Sequence, residues 1–214
     1  MLSKLGDLKA KAVAAELKHY LPITEKIIGQ AERRVIKGEQ VPSVEKVYSL
    51  FEEHTELIKR GKAGKPIEFG HKVLLVETGG KFIIHYEAMP KQRADKELIQ
   101  ESLKVHDKVF GCRPGVLAGD KGFYESREQI LSLSEENETV SICEKGRRTR
   151  EEDQRESTGE FKAGQRFRAG IEGTISVLKR AFKLSECLFK GFKNFASSVG
   201  CAVFCHNLVT LARL

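Results

Sequence analysis

The sequence has no tryptophan and, in 214 residues, only two methionines and five prolines. No apolar run approaches the ~20 unbroken residues a membrane-spanning helix needs. The most apolar stretch, 192–214, is interrupted by Lys193, Asn194, Ser197, Ser198, His206 and Asn207. Met1-Leu2-Ser3-Lys4 leads into an amphipathic pattern, not the apolar core of a secretory signal. The five cysteines, Cys112, Cys143, Cys187, Cys201 and Cys205, are odd in number and form no Cys-x-x-Cys pair. That argues against a disulfide framework and a paired zinc motif. Cys201, Cys205 and His206 do sit close together, but in a helical apolar stretch with no second pair upstream. Reduced, mostly buried thiols in a cytoplasmic protein are expected. A dinucleotide fingerprint and a Ser-His-Asp arrangement are also missing, and Gly61-Lys62-Ala63-Gly64-Lys65 lacks the spacing of a phosphate-binding P-loop.

What is present is a basic chain able to bury a core. It is 40% hydrophobic and 31% charged, and 37 Lys and Arg against 30 Asp and Glu give a net charge of +7. The excess is uneven. Between Lys162 and Lys193, eight basic residues face only Glu172 and Glu186. The run Lys145 to Arg150 precedes them, partly offset by Glu151, Glu152 and Asp153. Lys59, Arg60, Lys62 and Lys65 make a second basic loop. Such clusters serve either as solvated surface or as a surface that tracks nucleic-acid phosphates.

The patterning predicts a helical arm over residues 1–42, broken or restarted at Pro22 and ended at Gly38, and one domain over residues 43–214. In that domain Val47–Phe51, Phe69–Glu77 and Lys81–Ala88 read as strands, the last two joined by a turn at Thr78-Gly79-Gly80. A helix begins at Ala94-Asp95, with Ile99, Leu103, His106 and Phe110 on one stripe and Gly111 as its stop. Val116–Gly119 reads as a short buried strand, followed by a helix carrying Ile130 and Leu131 and a strand over 139–143. Residues 144–162 read as an exposed loop, and helices over 163–182 and 192–213 close the chain. This α/β order resembles a ribonuclease-H-like mixed sheet: a three-stranded antiparallel meander, then parallel strands, flanked by helices.

Two carboxylates stand out. Asp120 follows a buried strand and lies between Gly119 and Lys121-Gly122, so the backbone can turn and leave the side chain open. An ordinary surface turn has the same pattern. Glu172 shares a helical strip with Arg168 and Lys179, about 40° and 20° away at ~100° per residue, at the border of the stripe Phe167, Ile171, Ile175, Leu178 and Phe182. It suits a surface ion pair or a carboxylate offered to a metal between phosphate-gripping cations. Among the histidines, packing is the favoured role for His71 and His206, while His54 adjoins an acidic stretch.

Arg168-Ala169-Gly170-Ile171-Glu172-Gly173-Thr174-Ile175 through Lys179-Arg180 resembles the third-carboxylate helix of bacterial insertion-sequence DDE transposases. Val116 through Tyr124 resembles their second-Asp strand, and Phe69-Gly70-His71-Lys72-Val73 and His206 through Arg213 also fit that family. The resemblance covers roughly residues 30–214. It implies Asp120 and Glu172 as the second and third acidic ligands. The first would come from Ser49 through Glu56, where no Asp occurs; Glu52 fits best by register, with Glu53 next. The Tyr, Arg, Glu, Lys signature of many members is met by Arg168, Glu172 and Lys179, with Gln165 at the Tyr position.

The resemblance implies a transposase that cleaves DNA and transfers strands using Mg²⁺ or Mn²⁺. Two such ions about 3.5–4 Å apart activate the attacking oxygen and stabilise the leaving one, and hard cations take carboxylate oxygens. Arg168, Lys179, Arg180, Gln165 and Lys121 would contact double-stranded DNA, at transposon ends and target. The implied setting is a bacterial cytoplasm with no membrane association, nucleoid-bound when on DNA, and a homodimer that joins two ends. Relative to the family the chain reads as N-terminally truncated, without the usual upstream helix-turn-helix. Two other readings share these features: a truncated or decayed transposase that binds DNA without catalysis, and a metal-dependent nuclease of the same fold.

Overall fold

A computed structural model describes residues 2–59, 64, 66–147 and 149–214. The chain divides into two compact units, Met1–His71 and Lys72–Leu214. Arg60, Lys62 and Lys65 of the basic loop and Arg148 of the second basic run lie outside the described residues.

The first unit begins with α1, Leu2–Ala31, which runs unbroken through Pro22. Proline removes one intrahelical bond, to the carbonyl of Lys18. Lys18 is exposed, so water can take that carbonyl, and the expected break does not occur. A π-turn over Glu32–Ile36 follows, and the helical run ends before Gly38, whose φ of 67° suits glycine. The predicted strand at Val47–Phe51 is not formed. Gln30 takes both backbone groups of Val47 instead: its Nε2 donates to the carbonyl at 2.8 Å and its Oε1 accepts from the N–H at 3.0 Å. A side-chain amide thus occupies what a neighbouring strand would use. The strands that do form are β1, Glu56–Lys59, and β2, Ile67–Gly70, antiparallel with Glu56 opposite Gly70 and Lys59 opposite Ile67. The single strand expected over Phe69–Glu77 is therefore split after Gly70, whose φ of 146° few other residues adopt.

The second unit opens with β3, Val73–Glu77, and β4, Ile83–Ala88, an antiparallel hairpin with an irregularity at Val76/Glu77. After a 3₁₀ turn over Asp95–Leu98 comes α2, Ile99–Phe110, closed by Gly111 at φ 70°. Next are β5, Val116–Ala118, a 3₁₀ turn over Lys121–Phe123, α3, Arg127–Glu136, and β6, Thr139–Ser141, which pairs in parallel with β5. The described strands thus form three two-stranded sheets in a mixed α/β architecture.

Residues 144–162 are not simply a loop. They contain α4, Arg150–Ser157, capped by Thr149 Oγ1 accepting from Glu152 N at 3.2 Å. Its composition hid it, because the helix has no apolar stripe and buries Glu152 and Glu156 instead. The last helices are α5, Gly159–Ala181, and α6, Phe192–Leu211, close to their predicted spans. One core cluster gathers Ile99 and Leu103 of α2, Ile130 and Leu133 of α3, and Val140 and Ile142. A second joins Ile83 of β4, Leu178 of α5 and Val199, Ala202 and Val203 of α6. A third, Leu74, Met89 and Leu98, meets the first through Phe123.

His206 is buried as expected, with Nε2 3.0 Å from the Lys81 carbonyl and its ring edge-on to Phe182. The cysteines depart from the expected burial: Cys112, Cys187, Cys201 and Cys205 are exposed. Cys201 and Cys205 lie one turn apart, away from the buried face that carries Ala202 and His206.

Candidate active site

Asp120 stands just past the C-terminal end of β5, where the chain enters the 3₁₀ turn. Its carboxylate is exposed, and Oδ1 accepts from the Gly122 N–H at 2.6 Å. This bond caps the short turn and fixes one oxygen. Gly122 has no side chain to keep Asp95 away: a Cβ there would collide with Asp95 Oδ2 and lie 2.8 Å from Asp120 Oδ1. Two carboxylates therefore come close together at the strand end, and such hard oxygen donors suit a hard divalent cation. Lys121 beside it is exposed, and Lys145 Nζ donates to the Gly122 carbonyl at 3.3 Å.

Glu172 projects from α5 with its side chain 67% exposed, accepting from Arg168 NH1 at 3.2 Å. It is farther from the core than its place at the edge of the apolar stripe suggested. Arg168 also has a buried Nε with no protein partner. A cavity of about 130 Å³ is lined by Gly119, Arg168 and Ile171 among others, while neither Asp120 nor Glu172 lines it.

Several contacts set the position of α5, and sequence reasoning missed them. Gly164 meets β6 so closely that a Cβ would lie 2.5 Å from Ser141 Cβ. Ser141 Oγ donates to the Phe161 carbonyl at 2.8 Å, and Gln165 Nε2 donates to the Ser141 carbonyl at 2.7 Å. Gln165, predicted to contact DNA, is thus engaged with the sheet. From α4, Arg155 donates to the carbonyls of Val140 and Ile142, each at 2.8 Å, pairs with Glu152 at 2.7 Å and covers the ring of Phe161. Arg180 is exposed, with Nε 3.4 Å from the Ser176 carbonyl, and Lys179 is half-buried.

Glu52 and Glu53 belong to the first unit. Glu52 lies in an irregular segment, with its backbone N–H on Ser49 Oγ at 3.1 Å and its carboxylate 2.7 Å from His54 Nε2. His54 Nδ1 meets His71 Nε2 at 2.6 Å, a pairing across seventeen residues that no local pattern announces. Glu53 lies 3.5 Å from His19. Among the described residues, no group of three or more His, Cys, Asp or Glu side chains is arranged to hold a metal ion. No described helix is long and apolar enough to cross a membrane.

The family model for the transposase DDE domain matches residues 49–208. The chain belongs to the transposase DDE-domain family. It is an enzyme that acts on DNA by phosphodiester hydrolysis and transesterification. Transposases of this family generally use divalent metal ions. No curated protein and no solved structure matches the chain.

Proposed function

We propose that residues 43–214 form the catalytic domain of this transposase, with residues 1–42 as a helical arm, and that Asp120 and Glu172 hold Mg²⁺ or Mn²⁺. The order hairpin, helix, parallel strand, helix, strand, helices supports a ribonuclease-H-like arrangement. The observation that carries the reading is the exposed Asp120 carboxylate just past the end of β5, with the Asp95 carboxylate close beside it across Gly122.

Bound divalent cations supply activation of the attacking oxygen and neutralisation of charge on the leaving one. The chain's own groups do the rest. The Gly122 N–H fixes one oxygen of Asp120, and a carboxylate offers about four acceptor sites, so capacity for a cation remains. Arg168 turns one nitrogen to Glu172 and keeps further donors for a phosphate, the planar recognition for which arginine is suited. Lys121, Lys179 and Arg180 add charge along the duplex backbone, so binding falls steeply with salt. The proposed products are cleaved transposon ends whose 3′-hydroxyls attack target DNA, with two copies of the chain acting together in a bacterial cytoplasm.

The test is nicking of a supercoiled plasmid in Mg²⁺ or Mn²⁺ by the wild type, Asp120→Ala and Glu172→Ala, with DNA binding measured in parallel. Metal-dependent nicking by the wild type, lost in both variants while binding persists, is the expected result. Binding without nicking by the wild type would remove the catalytic assignment.

A further inference from the structure

Asp95 begins the 3₁₀ turn that leads into α2, and from sequence it is simply a helix start. In the fold that turn packs against the Lys121–Phe123 turn beside Asp120. Gly122 shows how close the approach is. A Cβ on Gly122 would collide with Asp95 Oδ2 and lie 2.8 Å from Asp120 Oδ1, so only glycine lets the two carboxylates come this near. Carboxylates from segments 25 residues apart are therefore close neighbours. Like charges this close disfavour each other unless a cation compensates. Lys72 does so in the protein as it stands: its ammonium pairs with Asp95 Oδ1, the oxygen other than the one facing Gly122. The same ammonium donates to the Arg93 carbonyl at 2.9 Å, which anchors it there.

We infer that Asp95 is a further carboxylate ligand of the divalent-cation site built on Asp120. The inference rests on the assignment of Asp120 made above. Mg²⁺ is commonly held by one or two carboxylates, with water and substrate phosphate completing its shell. Asp95 and Asp120 supply two such carboxylates within one unit of the fold, and the missing side chain of Gly122 lets them approach each other. Lys72 is then the counter-ion of the metal-free state. Its ammonium and an incoming cation compete for the same carboxylate, so removing the ammonium strengthens cation binding.

The test is direct Mn²⁺ binding to the full chain without DNA, followed by the electron-spin-resonance signal of free Mn²⁺. The variants are Asp120→Asn, Asp95→Asn and Lys72→Met, each checked for an unchanged circular-dichroism spectrum. Asp120→Asn should abolish binding. Asp95→Asn should weaken it about tenfold or more, the scale on which metal sites respond to loss of a supporting group. Lys72→Met should tighten it. If Asp120→Asn loses Mn²⁺ while Asp95→Asn binds like the wild type, the inference is overturned and the Asp120 assignment survives. If Asp120→Asn binds like the wild type, the underlying assignment fails. Should Asp95→Asn not fold, Lys72→Met decides. A purely structural Lys72–Asp95 ion pair leaves affinity unchanged or lower, and either result overturns the inference.

Discussion

Replacing Arg155 by methionine should destabilise the second unit more than a polar helix of eight residues would suggest. The guanidinium satisfies two backbone carbonyls, of Val140 and Ile142, and neutralises Glu152, whose side chain is only 6% exposed. Methionine preserves much of the packing over Phe161 but leaves both carbonyls and a buried carboxylate without their partner. Breaking a buried ion pair by removing one member costs about 3–5 kcal/mol, and the orphaned carbonyls place this case within that range rather than below it. For a protein of this size that is a fall in Tm of roughly 10 °C. Arg155→Lys should recover only part of the loss, because an ammonium lacks the planar fork that spans two carbonyls. Urea unfolding followed by circular dichroism measures these losses, with Glu152→Gln and the double variant completing a thermodynamic cycle. A coupling energy of about 1 kcal/mol or more is expected, since the double variant has no stranded charge. A loss under about 1 kcal/mol for Arg155→Met, or strict additivity in the cycle, would refute the reasoning.

Asn207→Leu should cost about 1–3 kcal/mol in the same unfolding assay, because its side chain satisfies both the N–H and the carbonyl of Ile83 on β4. Gly164→Ala should destabilise by about 1–3 kcal/mol despite alanine's higher helix propensity, since the methyl meets Ser141 Cβ, an atom fixed to the backbone; a neutral or stabilising result in thermal unfolding would count against the close packing of α5 on β6. Burial, reinforced by Glu144, holds the Tyr124 hydroxyl pKa above its ordinary value. Below the unfolded pKa of about 10 this stabilising contribution is complete, and it is lost as pH rises through the higher folded value because only the unfolded state then releases the proton. Tyr124→Phe should remove that part of the alkaline decline, which a pH series of urea midpoints would reveal.

Local pattern alone specified much of the second unit. The stop at Gly111, the hairpin at Thr78–Gly80 and the short strand before an exposed Asp120 follow from turn chemistry and apolar periodicity, which act over a few residues; the strand itself is only half-buried, with Val116 exposed. The basic, glutamate-bearing helix was legible for the same reason. Where partners are distant in sequence, local pattern misleads. Val47–Phe51 has the composition of a strand, yet Gln30 occupies its backbone groups. Pro22 reads as a break, yet an exposed helix tolerates one missing bond. Residues 150–157 read as loop because apolar periodicity cannot register a helix held by Arg155 and buried glutamates.

The sequence by itself determined the transposase family and the order of most elements, because those signals are carried by contiguous residues. Only the tertiary structure decided that Gln165 serves the sheet, that His54 meets His71, and that Asp95 lies close to Asp120 across Gly122. Each of these depends on two segments approaching from far along the chain, a property of the packed molecule that residue order does not state.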